Sequence, residues 1–395
     1  MSGIPKIILA AGKEQSPKRF HPWIFSGAIK RKEGEMVDGT VVEVYSNHNE
    51  YLGTGHYQNG SIAVRIFSFN KIVPDEKFWT EKIESAYNYR KALELTDSSN
   101  TNVYRLVFAE GDGLPGLIID YYNGTAVFQA HDIGMYNQRE YIVAALKKVY
   151  GPALKAVYDK SSESIGGRHA ADVKNGFLFG SDNEKEVIEN GNKFKIDFIE
   201  GQKTGFFIDQ RENRKLVAHY APGKKMLDCF CYAGGFSVYG LKAGAQHVAS
   251  VDASKTAIQL TDNNVDINFG KSEKHESHVA DAFDFLKEKQ SQYDLMVIDP
   301  PAFAKHREAK HQAIMGYKRL NALAIAGVNP GGIIFTFSCS QVVDKYLFHG
   351  AITAAAIEAG RNVRIMQYLS QPADHPISIY HPEGEYLKGM VLFVE

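Results

Sequence analysis

KKMLDCFCYAGGFSVYGLKAGAQHVASVDAS, residues 224–254, decides the fold. An apolar run reaches Asp228, Gly234 and Gly235 follow, a helical stretch comes next, and a second apolar run ends at Asp252. Strand, glycine turn, helix and strand in that order make a βαβ unit with parallel strands. The rhythm continues through SHVADAF (277–283), YDLMVIDPP (293–301) and GGIIFTFSCS (331–340), with helical spacers between them. Apolar strands alternating with helices predict a parallel sheet covered on both faces. Ligands of such sheets sit beyond the carboxyl ends of the strands. Asp228, Asp252, Asp281, Asp299 and Cys339 all fall at those ends.

Upstream the pattern differs. Residues 1–72 contain GTVVEVYS (39–46) and GSIAVRIFSF (60–69) between Gly, Asn and His, which reads as a small β-rich module. DEKFWTEKIESAYNYRKALEL (75–95) has helical spacing. VYRLVFAEGD (103–112) and GLIIDYYNGTAVFQA (116–130) read as strands, and NQREYIVAALKKVYG (137–151) as a helix. Residues 73–190 thus form an α+β middle domain, and the polar run SDNEKEVIENGN (181–192) at its edge is a hairpin turn or a linker. The expected division is 1–72, 73–190 and 191–395, in keeping with 395 residues at ~100–200 per domain.

Composition bounds the function. With 44% apolar and 23% charged residues the chain is an ordinary globular one, and no run approaches the ~18 apolar residues of a membrane helix. The opening MSGIPKIILA is too short an apolar segment for a secretory signal, and three cysteines cannot make a disulfide framework, so a cytoplasmic location is expected. The net charge of −1 argues against binding nucleic acid by bulk electrostatics. By region it is uneven: 1–72 carries 9 Lys/Arg against 6 Asp/Glu, whereas 73–190 carries 13 against 18.

The glycine pair lets backbone approach a ligand and precedes a helix N-terminus that favours an anionic group. GGFSVYG lacks the G-x-G-x-x-G of dinucleotide sites. Asp252 is placed to accept from both ribose hydroxyls, and Asp281 from an adenine amino group, although a strand-end Asp is also often a helix cap. Asp228, Tyr232, Gly234, Gly235, Asp252 and Asp281 together resemble the S-adenosylmethionine site of Rossmann-like methyltransferases.

Asp299-Pro300-Pro301 makes a rigid, acceptor-rich rim. Cys339 is a candidate nucleophile, since methylation of a carbon such as cytosine C5 needs a thiolate to add at C6 first. Asp299 could stabilise that adduct through the N3 and amino edge. The alternative for Cys339 is a buried core thiol. Cys229 and Cys231 read as packing residues, and no C-x-x-C or H-x-x-x-H pair suggests a metal.

TGFFIDQRENR (204–214), DCFCYAGGFS (228–237), DPPAF (299–303), FSCS (337–340) and ADHPISIYHPEGEYLKG (373–389) resemble the bacterial class I ribosomal RNA methyltransferases with an N-terminal PUA domain, on the branch that methylates cytosine C5 of 23S rRNA. RFHPWIFSGAI (19–29) resembles the start of the PUA module. The resemblance implies a Rossmann-like domain with a mainly parallel seven-stranded sheet, S-adenosylmethionine as cofactor, Cys339 as nucleophile and Asp299 as the acid that binds the base and borders the cofactor. It also implies 23S rRNA or a precursor of the large subunit as partner, with homodimerisation a family-level expectation. A sister branch methylates guanine. Ala302 follows the prolines, and no second cysteine occurs in that loop. Phe206, Asp209 and Arg211 could face cofactor or RNA; Asp209 and Glu212 also have capping-box spacing. In the N-terminal module, Lys18, Arg19 and Arg31 could contact phosphates and Trp23 could stack on a base, against the plainer reading of solvated charge and core aromatics.

Overall fold

A computed structural model describes residues 3–181, 186–304 and 306–395. The chain divides into two compact units, one of residues 1–187, 197–206 and 373–384, the other of residues 188–196, 207–372 and 385–395. The cuts read from sequence, near 73 and 190, stand beside a chain that passes between units at 187/188, 196/197, 206/207, 372/373 and 384/385.

The first unit holds two sheets. Six strands between Lys6 and Ser68 form one of them, with Lys6–Leu9 parallel to Val41–Tyr45 and antiparallel to Ile29–Glu33. Ile7, Leu9, Ile24, Val42, Val44, Val64 and Ile66 fill its core. The other sheet has five strands between Val103 and Phe179. Helices Glu76–Ala92 and Arg139–Tyr150 bury Trp79, Ile83, Ile142 and Leu146 in one cluster with Leu106, Ile119 and Phe128 of that sheet. The first of these helices starts where its sequence says, because Asp75 accepts from the Phe78 amide at 2.9 Å. Arg90 is fully buried, pairs with Asp112 and donates to the Asp374 carbonyl at 2.7 Å. The Asp374 carboxylate accepts from the Arg105 amide at 3.1 Å, so the distant 373–384 segment is stitched into this unit.

Part of the polar run at 181–192, residues 182–185, lies outside the described residues. The remainder is the hairpin Glu186–Glu189 with Asn192–Lys195. Asn190 and Gly191 turn it at φ 50° and 72°, the two successive left-handed residues of a tight hairpin loop.

The second unit is a seven-stranded sheet of β1 (Lys225–Cys229), β2 (His247–Asp252), β3 (His275–Val279), β4 (Tyr293–Ile298), β5 (Val328–Ser338), β6 (Val363–Leu369) and β7 (Lys388–Val394). The order is β3-β2-β1-β4-β5-β7-β6, with β1 to β5 parallel and β7 antiparallel to both neighbours. Alternate residues face opposite ways: Leu227, Val251, Met296 and Ile334 enter one core, Met226, Val248, Leu295 and Phe335 the other. Burial on both faces explains why these strands read as continuous apolar runs. Six helices lie between or before the strands: α1 (Arg211–Tyr220), α2 (Gly235–Lys242), α3 (Lys255–Phe269), α4 (Ala282–Glu288), α5 (Lys310–Gly327) and α6 (Lys345–Ala359). SHVADAF is shorter as a strand than its sequence suggests, because β3 ends at Val279 and Asp281 caps α4. No helix among the described residues is long and apolar enough to cross a membrane.

Candidate active site and cofactor-binding loop

The chain reverses its order across the sheet between β1 and β4, and the loop leaving β1 occupies that switch point. Phe230, Tyr232 and Gly234 adopt φ of 63°, 48° and 68°, so every second residue of the loop is left-handed. Non-glycine residues in that region cost about 1–3 kcal/mol each and persist where their surroundings over-determine them. Here the Phe230 amide donates to the Val251 carbonyl at 2.8 Å and the Tyr232 amide to Asp252 Oδ2 at 3.2 Å. Thr261 Oγ1 donates to the Tyr232 carbonyl and Asn264 Nδ2 to that of Ala233, at 3.0 and 2.9 Å. A Cβ on Gly234 would lie 2.7 Å from Thr261 Cγ2, and one on Gly235 3.0 Å from Arg214 Cδ. The backbone is thus held in a cradle that side chains at 234 and 235 would fill.

Asp228 lies beneath this loop, 1% exposed. Its Oδ2 accepts from the Ser237 amide at 3.1 Å and hydroxyl at 2.6 Å, and Ser237 reaches Ser250 and then His275 through hydroxyl contacts of 2.7 and 2.8 Å. Its Oδ1 is buried without a partner. Burial pushes its carboxyl up to about 7, against the lowering effect of the Ser237 bonds. Asp228 therefore fastens the loop to the first turn of α2 from below.

Asp252 ends β2, with its two oxygens taking the Tyr232 and Ser254 amides. Asp281 Oδ1 accepts from the Phe283 and Asp284 amides at 2.8 and 3.2 Å, the capping use that its sequence position allowed. Register places the ends of β2, β1, β4 and β5 side by side through the pairs Cys229–Val251, Cys229–Ile298 and Ile298–Thr336. Asp252, the Gly234 loop, Asp299 and Cys339 hence follow one another along a single carboxyl edge.

Ser340 Oγ donates to the Ala304 carbonyl at 2.9 Å, tying the loop after β5 to the one after β4. Asp299 Oδ2 accepts from Gln210 Nε2 at 2.9 Å, and Gln210 Oε1 accepts from Asn213 Nδ2 at 2.6 Å. Tyr317 of α5, fully buried with its hydroxyl pushed up to about 12, interacts with both Cys339 and Asp299. Cys339 is half-buried, whereas Cys229 and Cys231 are buried with their thiols driven upward by desolvation. Those two match their reading as packing residues.

The capping-box reading of Asp209 and Glu212 is corrected. A 3-10 turn at Ile208–Gln210 precedes α1, Gln210 is the N-cap of α1 without a side-chain bond to the helix's free amides, and Asp209 Oδ2 accepts from the Tyr386 hydroxyl at 2.6 Å. Arg211 is 3% exposed and bonds Glu212 at 3.4 Å, so its guanidinium is packed inside. Phe206 is buried and belongs to the other unit. Sequence reasoning passed over Gln210, Tyr386 and Lys388, which reach the site from the turn before α1, the segment before β7 and β7 itself by contacts that local patterns do not encode.

In the first unit, Trp23 Nε1 donates to Glu110 at 2.8 Å and its ring lies 4.3 Å from that of His381. Lys18 pairs with Glu50 at 2.5 Å and Arg31 with Glu33 at 2.8 Å, while Arg19 is exposed. His21, His381 and Glu383 gather their ligand atoms within 4.8 Å. His21 Nδ1, however, accepts the Trp23 amide at 3.2 Å, which leaves the proton of a neutral ring on Nε2, facing Glu383. That arrangement suits a hydrogen-bonded pair better than a metal ligand, whose second nitrogen normally donates. A groove of about 830 Å³ lined by Lys225, His247, Glu276, Tyr293 and Asn329 lies at the amino ends of the strands, opposite the candidate site.

Comparison with known proteins agrees with this fold. Residues 7–69 match the PUA-like domain family and residues 145–376 the S-adenosylmethionine-dependent methyltransferase family. The chain is 38% identical over 393 residues to ribosomal RNA large subunit methyltransferase I of Aeromonas salmonicida and 39% identical over 393 residues to that of Pseudoalteromonas atlantica, covering 98% of each pair. A provisionally assigned SAM-dependent methyltransferase from Streptococcus mutans superposes with a TM-score of 0.83 at 24% identity, covering 98% of this chain and all of that one. A methyltransferase structure complexed with SAH gives 0.85 at 24% identity over the same shares. These two likenesses speak for the fold.

Proposed function

The chain belongs to the S-adenosylmethionine-dependent methyltransferase family that includes ribosomal RNA large subunit methyltransferase I, and from that premise we propose that it methylates C5 of a cytosine in large-subunit ribosomal RNA. The observation that carries the choice of atom is Cys339, half-buried at the end of β5 and laced to the Asp299 loop through Ser340 and Ala304. Methylation of an exocyclic amine needs no nucleophile there; methylation of a ring carbon does.

When bound, S-adenosylmethionine supplies an electrophilic methyl on a sulfonium. The Gly234 loop, Asp252 and Asp281 would hold it, with Gly235 opening α2 and Asp228 keeping the loop in shape. Cys339 adds through sulfur to cytosine C6, giving C5 the enamine character to form a bond to carbon. Asp299 accepts from the protonated N3 and the amino group, stabilising the adduct. Once C5 is alkylated, its proton leaves to a base, the C6–S bond breaks and the thiolate returns to Cys339. The 7–69 module and the aromatic surface around Trp23 serve RNA recognition in this reading, at shallow salt dependence given the weak positive excess.

The test is to incubate stripped rRNA with labelled methyl donor and identify the labelled nucleoside. Label in 5-methylcytidine supports the reading. Label in an N-methylguanosine supports a guanine enzyme, and tight RNA binding without label a non-catalytic assembly factor.

A further inference from the structure

Lys388 opens β7, pairs in antiparallel register with Ser338 and is 7% exposed. Its ammonium reaches back past the neighbouring strand's end and donates to the Ser340 carbonyl at 2.7 Å. The backbone of Lys388 is thus beside the residue before Cys339, and its Nζ is bonded to the residue after it. A second bond, at 2.6 Å, goes to the Tyr386 carbonyl. An ammonium has three donors and carries a full charge. Both partners here are neutral carbonyls, and a lysine is almost never buried unless paired. The strongest attraction it feels from an ionisable side chain comes from Cys339, ahead of Glu385 and Asp344. Tyr317 of α5 also feels Cys339, and its raised hydroxyl stays protonated and neutral.

We propose that Lys388 is the positioning residue that holds the Cys339 sulfur as a thiolate, the buried cation and the nucleophile completing one another. The thiol proton leaves to solvent before RNA binds, and Lys388 stays protonated throughout. Burial pushes the lysine down, and the nearby Cys339, Glu385 and Asp344 act against that. The inference rests on Cys339 being the nucleophile of the proposed reaction, and it supplies a cation that would activate the thiol.

The experiment uses the full-length protein without RNA. Iodoacetamide alkylates a thiolate, the sulfur forming a bond to carbon as iodide leaves, and the rate against pH reads the ionisation of Cys339 directly. Peptide mapping assigns the adduct, and Cys339→Ser supplies the blank. The wild-type midpoint is expected at least one unit below the ~8.5 of an ordinary thiol. Lys388→Met should raise it by about one unit or more, slowing alkylation roughly tenfold near neutrality, while Lys388→Arg should keep it close to wild type. Unchanged S-adenosylhomocysteine affinity shows that a variant is folded. A wild-type midpoint at or above ~8.5 overturns the inference whatever the variants do, and so does a Lys388→Met profile that overlays the wild type. A low, Lys388-dependent midpoint in a protein that forms no 5-methylcytidine would leave this inference standing and defeat the proposed reaction instead.

Discussion

Gln210 Nε2 donates to Asp299 Oδ2 at 2.9 Å, and Asn213 fixes the amide by donating to Gln210 Oε1 at 2.6 Å. The carboxylate proposed to grip the target base is thereby aimed from the turn that opens α1, not from its own strand. Gln210→Leu removes the donor while keeping the bulk. Turnover on rRNA should fall by about tenfold, the scale of one lost hydrogen bond to a charged group, with cofactor affinity little changed. Turnover equal to wild type under saturating substrate would show that Asp299 needs no such support.

Gly234 tests the cofactor loop. Alanine there must tolerate φ 68° and a Cβ 2.7 Å from Thr261. The strain, about 1–2 kcal/mol before any clash, should weaken S-adenosylhomocysteine binding by tenfold or more in calorimetry. Binding at wild-type strength would mean that the cradle is not where the cofactor lies.

Asp228 makes stability depend on pH in a stated direction. Its folded carboxyl sits at about 7 against an ordinary 3.8, so between those values the folded chain keeps a proton that the unfolded chain has released. Stability contributed by this group is therefore full below about pH 4 and falls as pH rises through 7. Asp228→Asn keeps the acceptor for Ser237 and removes the ionisation. Chemical denaturation of the cofactor-free protein should show the variant gaining on wild type from pH 5 to 8, by on the order of 2–4 kcal/mol at most. Parallel pH curves would refute the assignment.

Arg90 and Asp112 form the buried pair that anchors the 373–384 segment in the first unit. Arg90→Met strands the Asp112 carboxylate, and about 3–5 kcal/mol should be lost in urea unfolding. Lys18→Ala, which breaks only a surface pair with Glu50, should cost under about 1 kcal/mol. Equal effects would contradict the contrast in burial.

The parallel sheet and its row of strand-end acids were legible in sequence because β1, β2, β4 and β5 are largely buried and read as apolar runs, whereas the edge strand β3 (HESHV) is not. Asp281 was half legible: it follows β3 by two residues instead of ending it, and its capping bonds were the alternative that local chemistry also allowed. What stayed hidden depends on long-range contact. The Asp209–Tyr386 bond joins residues 177 apart, and Lys388 meets Ser340 only because β7 turns back antiparallel beside β5. The interleaving of the two units was equally invisible, since nothing local in 373–384 announces that Asp374 will pair with Arg90 and Arg105.

The proposed reaction turns on Cys339, and the labelled-nucleoside assay with Cys339→Ala measures it most directly. Wild type should place the label in 5-methylcytidine, and the variant should place none while binding S-adenosylhomocysteine as wild type does. Methylation that persists in the variant, on any base, would contradict the account.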